Sequence, residues 1–303
     1  MSLTNFPRIL VIRNPISGSR RAALLEHVLG RLRTTGCAVE LCNTGKRGDA
    51  ERIAAAASPE RYDVVAVAGG DGTINEVLNG MTDSPLPLGL IPMGTANVLA
   101  AELGLPLSAD GLAQTLLEGR RQHIQLGLAA GRRFAMMAGV GFDAHVVAGI
   151  NPRLKRAVGK GAYVWQSLVE MVRYRPQCFT LTIDGASYTA ASAVVANGHY
   201  YAGRFTCAPM ARLTDECLHV CLFKSAGRLS INHYGLALLL GRLDRRRDIE
   251  ILPATRIRIE GGAQGNSGEP VHGDGDIIAQ VPLEIVMDPR GIEVIVPGAA
   301  DIR

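Results

Sequence analysis

From residue 8 to about residue 103 the chain alternates short β-branched runs with stretches of helical apolar spacing. The runs are RILVIR (8–13), VELCN (39–43), DVVAVA (63–68) and LGLIP (88–92). Between them, Ala22, Leu25, Leu29 and Leu32 recur on one helical face, residues 49–57 form a short helical stretch, and Ile74, Val77, Leu78 and Met81 follow the i, i+3, i+4, i+7 pattern. A fourth helical stretch, ANVLAAEL, follows the run at 88–92. DVVAVA has no polar alternation, so it reads as a strand buried on both faces. Strands that alternate with helices in this way predict a doubly wound, mostly parallel sheet with helices on both faces.

After about residue 122 the rhythm changes. RRFAMMAGVGF, CFTLTI, SYTAASAVVA, CLHVCLF, ATRIRIE, LEIVM and IEVIV follow one another as strands, interrupted by helical patterns only near 162–174 and 230–240. Serial strands with Gly-rich turns predict an antiparallel sandwich or barrel. The expected organisation is an α/β domain over 1–122 and a β-rich domain over 123–289. The tail from about 290 to 303 is free to return to the first domain. A cleft between two such domains is a natural ligand site.

Composition excludes several classes. Of 303 residues, 47% are apolar and 20% charged, which rules out disorder. The 35 glycines, about 12% against a usual level of about 7%, have no triplet period, so they serve loops. With 5% aromatics and a net charge of +4, nothing marks a nucleic-acid platform. The six cysteines form no C-x-x-C pair and read as buried free thiols. The first 15 residues lack a signal-peptide core, and the longest apolar stretch, Gly235–Gly241, is far too short to span a bilayer. These features predict a soluble, cytoplasmic protein.

The strongest local signal is Gly69-Gly70-Asp71-Gly72-Thr73-Ile74-Asn75-Glu76, between the buried strand and a helix. Glycines there let the backbone approach a ligand, and exposed amides at a helix N-terminus favour phosphate. Thr73 and Glu76 stand at capping-box spacing, which predicts a helix start at Thr73. Asp71 would repel phosphate unless a cation intervenes, so it reads as a Mg²⁺ bridge or as a base aimed at an acceptor hydroxyl. Pro92-Met93-Gly94-Thr95-Ala96-Asn97 repeats the design with Thr95 as cap, and Asn14-Pro15-Ile16-Ser17-Gly18 follows the first strand. Three such loops at the C-terminal ends of parallel strands would converge on one crevice. Neither the dinucleotide-binding glycine pattern nor the P-loop pattern occurs at these loops.

NPISG, GGDGTINE and PMGTAN, in this order and spacing, resemble the diacylglycerol kinase catalytic domain family, which includes bacterial lipid kinases and the sphingosine and ceramide kinases. The resemblance continues through Gly139–Asp143, Asn197-Gly198, the segment 209–218 and Asp274-Gly275-Asp276, and so spans nearly the whole chain. It implies an ATP site held by Asn14, Pro15, Ser17, Gly18, Thr44, the Gly69–Asn75 loop (with Gly70, Asp71, Gly72 and Thr73), Gly94, Thr95 and Asn97. It also implies a base on the β-rich domain. Where relatives read Asp-Gly-Glu, this chain reads Asp274-Gly275-Asp276, so Asp276 would be the base with Asp274 beside it. From the residues alone, Asp-Gly-Asp is a hairpin turn.

Some positions depart from the family pattern. Relatives often carry Asp where this chain has Val98 and Gln125. A structural Mg²⁺ turn in some of them is here Arg212-Leu213-Thr214-Asp215-Glu216-Cys217. Asp215 would be a ligand there, with the main-chain carbonyls of Arg212 and Cys217. The basic residues Arg153, Lys155, Arg156 and Lys160 could meet lipid head groups, and Arg242 and Arg245–Arg247 read as helix-end charges. The stripe Tyr163, Trp165, Leu168, Val172 reads as core, and His199 and His272 read as structural. The expected activity is an ATP- and Mg²⁺-dependent lipid kinase that meets its substrate at a membrane surface, with no nucleic-acid partner and a homodimer admitted. Its rivals are an NAD-kinase-like enzyme and a catalytically impaired regulator that binds nucleotide or lipid.

Overall fold

The apolar runs at 8–13, 63–68 and 88–92 become strands whose side chains are almost wholly buried, while the edge run at 39–43 stays partly exposed. The computed structural model describes residues 7–16, 21–150, 166–167, 169–170, 174, 177–261 and 268–298. In chain order the elements are β1 (Arg8–Arg13), α1 (Ala22–Thr34), β2 (Ala38–Asn43), α2 (Asp49–Ala55), β3 (Val64–Gly69), α3 (Asp71–Gly80), β4 (Leu88–Pro92), α4 (Val98–Glu102), α5 (Ala109–Glu118) and β5 (Arg120–Ile124). Every residue of β3 and β4 is buried, as expected for central parallel strands. The sheet order is β2-β1-β3-β4, then the C-terminal strand Ile292–Val296, then β5. All pairs are parallel except the last, where β5 runs antiparallel to Ile292–Val296. The strand order reverses direction between β1 and β3. In open α/β sheets this switch point is where ligands bind, beyond the carboxyl ends of the strands.

Two helix starts differ from the sequence expectation. α3 begins at Asp71 with Gly70 as its extended N-cap, not at Thr73, and no side chain caps it. The Thr73 side chain lies against Gly69, where an added Cβ would come within 2.6 Å of it. Glu76 instead accepts a hydrogen bond from the Ala50 amide at 3.2 Å and ties α3 to α2. The expected ANVLAAEL helix starts only at Val98, because Asn97 is left-handed (φ 48°), so Thr95 is not a cap.

The chain divides into one unit made of Met1–Ile124 with Arg290–Arg303 and another made of Gln125–Pro289. In the second unit the elements are β6 (Gly127–Ala129), β7 (Arg132–Phe134), β8 (Met137–Val140), α6 (Phe142–Gly149), β9 (Phe179–Ile183), β10 (Ala186–Ala190), β11 (Ser192–Ala196), β12 (Tyr200–Tyr201), β13 (Phe205–Thr206), β14 (Leu218–Phe223), α7 (Arg228–Leu239), β15 (Ile249–Ala254), β16 (Arg256–Gly261), β17 (Pro270–Gly273), β18 (Asp276–Gln280) and β19 (Leu283–Met287). Two antiparallel sheets, β10-β9-β16-β19-β6-β7 and β15-β14-β11-β8-β17-β18, enclose one apolar core.

Alternation decides which side chains enter that core. Val195, Val220, Ala138 and Val271 face it, while Val194, Cys221, Gly139 and His272 form a row across the opposite face of the second sheet. α6 packs on that opposite face, against β8, β17 and β18. The second unit also buries an ion pair, Arg133 with Asp288, at 2% and 0% side-chain exposure.

Candidate functional site

In the first unit, the loops at the carboxyl ends of β1, β3 and β4 are tied to one another. The Asn14 side-chain amide donates to Thr73 Oγ1 at 3.1 Å, and its Oδ1 accepts from the Ile16 amide. Arg21, just before α1, donates to the Pro92 carbonyl at 2.9 Å, and the Met93 amide donates to the Gly69 carbonyl at 2.8 Å. Gly70 and Gly94 meet backbone to backbone, and a Cβ on Gly94 would lie 2.6 Å from Gly70 Cα. Thr44 is buried at the end of β2, with its amide bonded to the Arg13 carbonyl at 2.8 Å. Asn14, Thr44, Gly69–Asn75 and Gly94–Asn97 therefore gather at one edge of the sheet. Ser17 and Gly18 lie outside the described residues, and Pro15 and Thr95 are exposed.

The Asp71 carboxylate, expected as a base or metal bridge, accepts two main-chain hydrogen bonds from the second loop. Its Oδ1 accepts from the Val98 amide at 2.6 Å and its Oδ2 from the Asn97 amide at 2.9 Å. The carboxylate thus sits at the N-terminus of α4 and holds the PMGTAN loop against the GGDG loop. Both oxygens are turned toward main-chain donors, which makes Asp71 a positioning residue. Val98, where relatives often carry Asp, is buried and contributes its main-chain amide to this clamp. Asn97 donates its side-chain amide to the Gly94 carbonyl at 2.8 Å, leaving Oδ1 buried with no partner. An orphaned buried acceptor at this edge suits a ligand that brings a donor.

In the second unit, β17 and β18 are joined by a two-residue turn. Asp274 and Gly275 both have positive φ (51° and 84°), the geometry of the mirror-image hairpin turns. Asp274, expected beside the base, braces the turn. It accepts from the amides of Ala135, Met136 and Met137 at 2.7, 2.9 and 3.1 Å, while its own amide donates to the Met137 carbonyl at 2.9 Å. Asp276 opens β18, opposite Gly273, and is partly exposed.

Next to this turn lies a group that the sequence reading passed over. His272 Nε2 and Asp143 Oδ2 are 2.5 Å apart, and the Tyr201 hydroxyl donates to Asp143 Oδ1. Burial pushes the Asp143 carboxyl up, but the His272 ring and the two hydrogen bonds outweigh it, so the net shift is down. Burial pushes His272 down, and the carboxylates of Asp143, Asp274 and Asp276 overcome that and leave it raised. His272 Nδ1 is buried with no partner. Gly139 makes room for the pair, since a Cβ there would lie 2.6 Å from Asp143 Oδ2. The available signal was the alternation of β17, which turns His272 away from the core, together with an Asp at the start of α6.

Other expectations fare differently. Asn197 is fully buried and braces the strand ends, donating its side-chain amide to the Gln125 and Ala135 carbonyls at 2.7 Å each. At the expected metal turn, Asp215 accepts from the Arg212 amide at 3.2 Å, and the Arg212 carbonyl accepts from the Asp215 amide at 2.9 Å. Cys217 lies 4.0 Å from His219 through its sulfur. No grouping of three His, Cys, Asp or Glu side chains that could hold a metal occurs among the described residues. The Asp215 carboxylate thus closes on the amide at the start of its own turn, with Glu216 exposed beside it. The cysteines are free, but Cys178 is exposed and Cys42 and Cys217 are half-buried, so burial holds only for Cys37, Cys207 and Cys221. His199 stacks on Tyr200. Arg153, Lys155, Arg156, Lys160, Tyr163, Trp165, Leu168 and Val172 lie outside the described residues.

A doubly wound α/β unit whose switch-point loops are clamped together, followed by an antiparallel sandwich, defines a two-domain kinase architecture. Residues 8–129 match the diacylglycerol kinase catalytic domain and residues 136–296 the YegS C-terminal NAD kinase beta sandwich-like domain; the chain belongs to the diacylglycerol kinase catalytic domain family. It is 29% identical over 300 residues to a diacylglycerol kinase of Mycobacterium tuberculosis (strain CDC 1551 / Oshkosh), covering 96% of this chain and 95% of that one. A diacylglycerol kinase of Bacillus subtilis (strain 168) is also 29% identical, over 96% of each chain. A crystal structure from Bacillus anthracis str. Sterne, described as a diacylglycerol kinase, aligns with a TM-score of 0.74 at 22% identity, covering 98% of this chain and 99% of that one. At that identity the likeness bears on the fold.

Proposed function

We propose that the chain uses ATP to phosphorylate a hydroxyl of diacylglycerol or a closely related lipid. The observation that carries this reading is the Asp71 clamp, which fastens the GGDG loop to the PMGTAN loop at the switch point of the sheet. The names of the relatives support the choice of lipid. The nucleotide would be held by the Asn14 loop, Thr44, Gly69–Asn75 and Gly94–Asn97, with the orphaned Asn97 Oδ1 as a ready acceptor. ATP supplies the phosphoryl group that is transferred.

The residues of the chain then have distinct tasks. Asp71 fixes the spacing of the two nucleotide loops, and phosphoryl transfer depends mainly on such positioning. Asp276 takes the proton from the attacking lipid hydroxyl onto its carboxylate. Asp274 holds the turn that presents Asp276, and the Asp143–His272 pair secures the strand behind it. Mg²⁺ would arrive with the nucleotide, held chiefly through phosphate oxygens and water.

The test incubates purified protein with γ-labelled ATP and Mg²⁺ against diacylglycerol, monoacylglycerol, sphingosine, ceramide and NAD. Label in diacylglycerol supports the proposal. Label in NAD alone, or in none of the acceptors with the protein folded, refutes it.

A further inference from the structure

The helix α7 is rich in leucine, and the second unit covers only one side of it. Tyr234 and Ala237 are buried, with Tyr234 packed edge-on to Phe223 and its hydroxyl bonded at Ser225. The opposite side carries Leu229, Leu236, Leu239 and the capping Leu240, which are 76, 55, 64 and 59% exposed. At about 100° per residue, Leu229, Leu236 and Leu240 fall in one narrow arc, with the exposed His233 at its margin and Leu239 further round beyond the exposed Asn232. No charged residue lies on α7 between Leu229 and Leu240. Four leucines exposed on one helix mark an interaction surface, whereas single exposed leucines are ordinary.

The surroundings of this face indicate its occupant. Beyond the helix end, Arg242, Arg245 and Arg247 are exposed, with only Asp244 as an exposed acid among them. Arg246 is turned inward, paired with Asp248 at 2.8 Å and stacked over the Tyr234 ring. An uncharged leucine face with arginines at its end is the pattern of a helix that lies in the plane of a bilayer interface, leucines in the acyl boundary and arginines at anionic head groups. No described helix is long and apolar enough to cross a membrane, so contact through this helix would be interfacial.

We infer that α7 and the arginines after it dock the protein on an anionic lipid surface. The inference rests on the proposed lipid kinase reading only for its purpose, since a soluble enzyme must reach a hydroxyl at the head-group level. The docking itself needs no turnover, so the two can fail separately.

The full-length protein is sedimented with sucrose-loaded vesicles of phosphatidylglycerol and phosphatidylcholine, and with vesicles of phosphatidylcholine alone, neither containing diacylglycerol. Wild type should partition onto the anionic vesicles roughly tenfold more strongly than onto the neutral ones. The variant carrying Leu229→Gln, Leu236→Gln, Leu239→Gln and Leu240→Gln should lose about tenfold or more of that partition. Both proteins should phosphorylate detergent-dispersed short-chain diacylglycerol equally. Hydrogen exchange on wild type gives a reading free of any folding defect, because amides of 228–242 should slow on anionic vesicles. Wild type that stays in the supernatant, a leucine variant that sediments as well as wild type, or amides that gain no protection would each overturn the inference. So would a wild-type dimer that the leucine substitutions convert to monomer, since the face would then belong to a second copy. If wild type sediments but labels no lipid in any form, the kinase reading fails and the docking stands.

Discussion

At the scale of single residues, the two carboxylates of the Asp274-Gly275-Asp276 turn are separated by their partners. Three amides point at Asp274. Asp276 stands partly exposed at the head of β18. Asp276→Asn should lower turnover by about 100-fold or more with less loss of stability than Asp274→Ala. Asp274→Ala should lower stability in urea by about 1–3 kcal/mol, because it strands buried donors, with activity lost alongside the fold. Equal stability loss in both variants, or a near-normal rate for Asp276→Asn, would reverse the roles.

The buried Asp143–His272 pair makes a pH-dependent prediction. The His272 pKa is raised above its ordinary 6.5, so its share of stability is complete below 6.5 and fades as pH rises through the raised value. The Asp143 pKa is lowered below its ordinary 3.8, so its share is complete above 3.8 and is lost as pH falls through the lowered value. The stability gap between wild type and His272→Gln, from urea midpoints, should be widest between these two ordinary values and narrow on either side. A gap that is flat from acid to alkaline pH would show that the pair is not ionised in the folded protein.

At the scale of elements, the parallel strands were legible because the chemistry that makes them is local. An unbroken β-branched run reads as a strand buried on both faces wherever it occurs, and LGLIP matches β4 residue for residue. Helix starts were less legible, because competition for hydrogen-bond partners decides them. Thr73 and Glu76 have capping-box spacing, but Glu76 found the Ala50 amide instead. The motifs GGDG and PMGTAN showed that two loops matter. They could not show that Asp71 faces the second loop, since residues 26 and 27 positions further on supply its donors. His272 was read as a lone histidine for the same reason, its partner being 129 residues away.

The contact of Gly70 with Gly94 is testable at this scale. Gly94→Ala places a Cβ 2.6 Å from backbone that has no flexible end to yield, so the loops must part. A misplacement of this size should cost about 100-fold in kcat/KM for ATP with a smaller change in stability. Wild-type kinetics in that variant would mean that the loop contact has no part in nucleotide handling. In the sandwich, Arg133→Met removes the cation of the buried pair, at a cost of about 3–5 kcal/mol. A loss below about 1 kcal/mol, read from chemical denaturation, would mean that water or another group reaches Asp288.

At the scale of the whole molecule, two units with different construction share one chain that leaves the α/β unit after Ile124 and returns to it at Arg290. The returning strand Ile292–Val296 sits between β4 and β5, so the last strand made completes the first sheet. Sequence periodicity identifies that run as a strand but not its sheet, because pairing over such a distance leaves no local trace. The nucleotide loops belong to the first unit and the proposed base to the second. The lipid kinase proposal is the central claim, and transfer of labelled phosphate from ATP to diacylglycerol tests it most directly, with wild type run beside Asp276→Asn and Asp71→Ala. The account predicts labelled phosphatidic acid from wild type and at least about 100-fold less from each variant. Folded wild type that labels no lipid, or variants that keep pace with it, would contradict the claim.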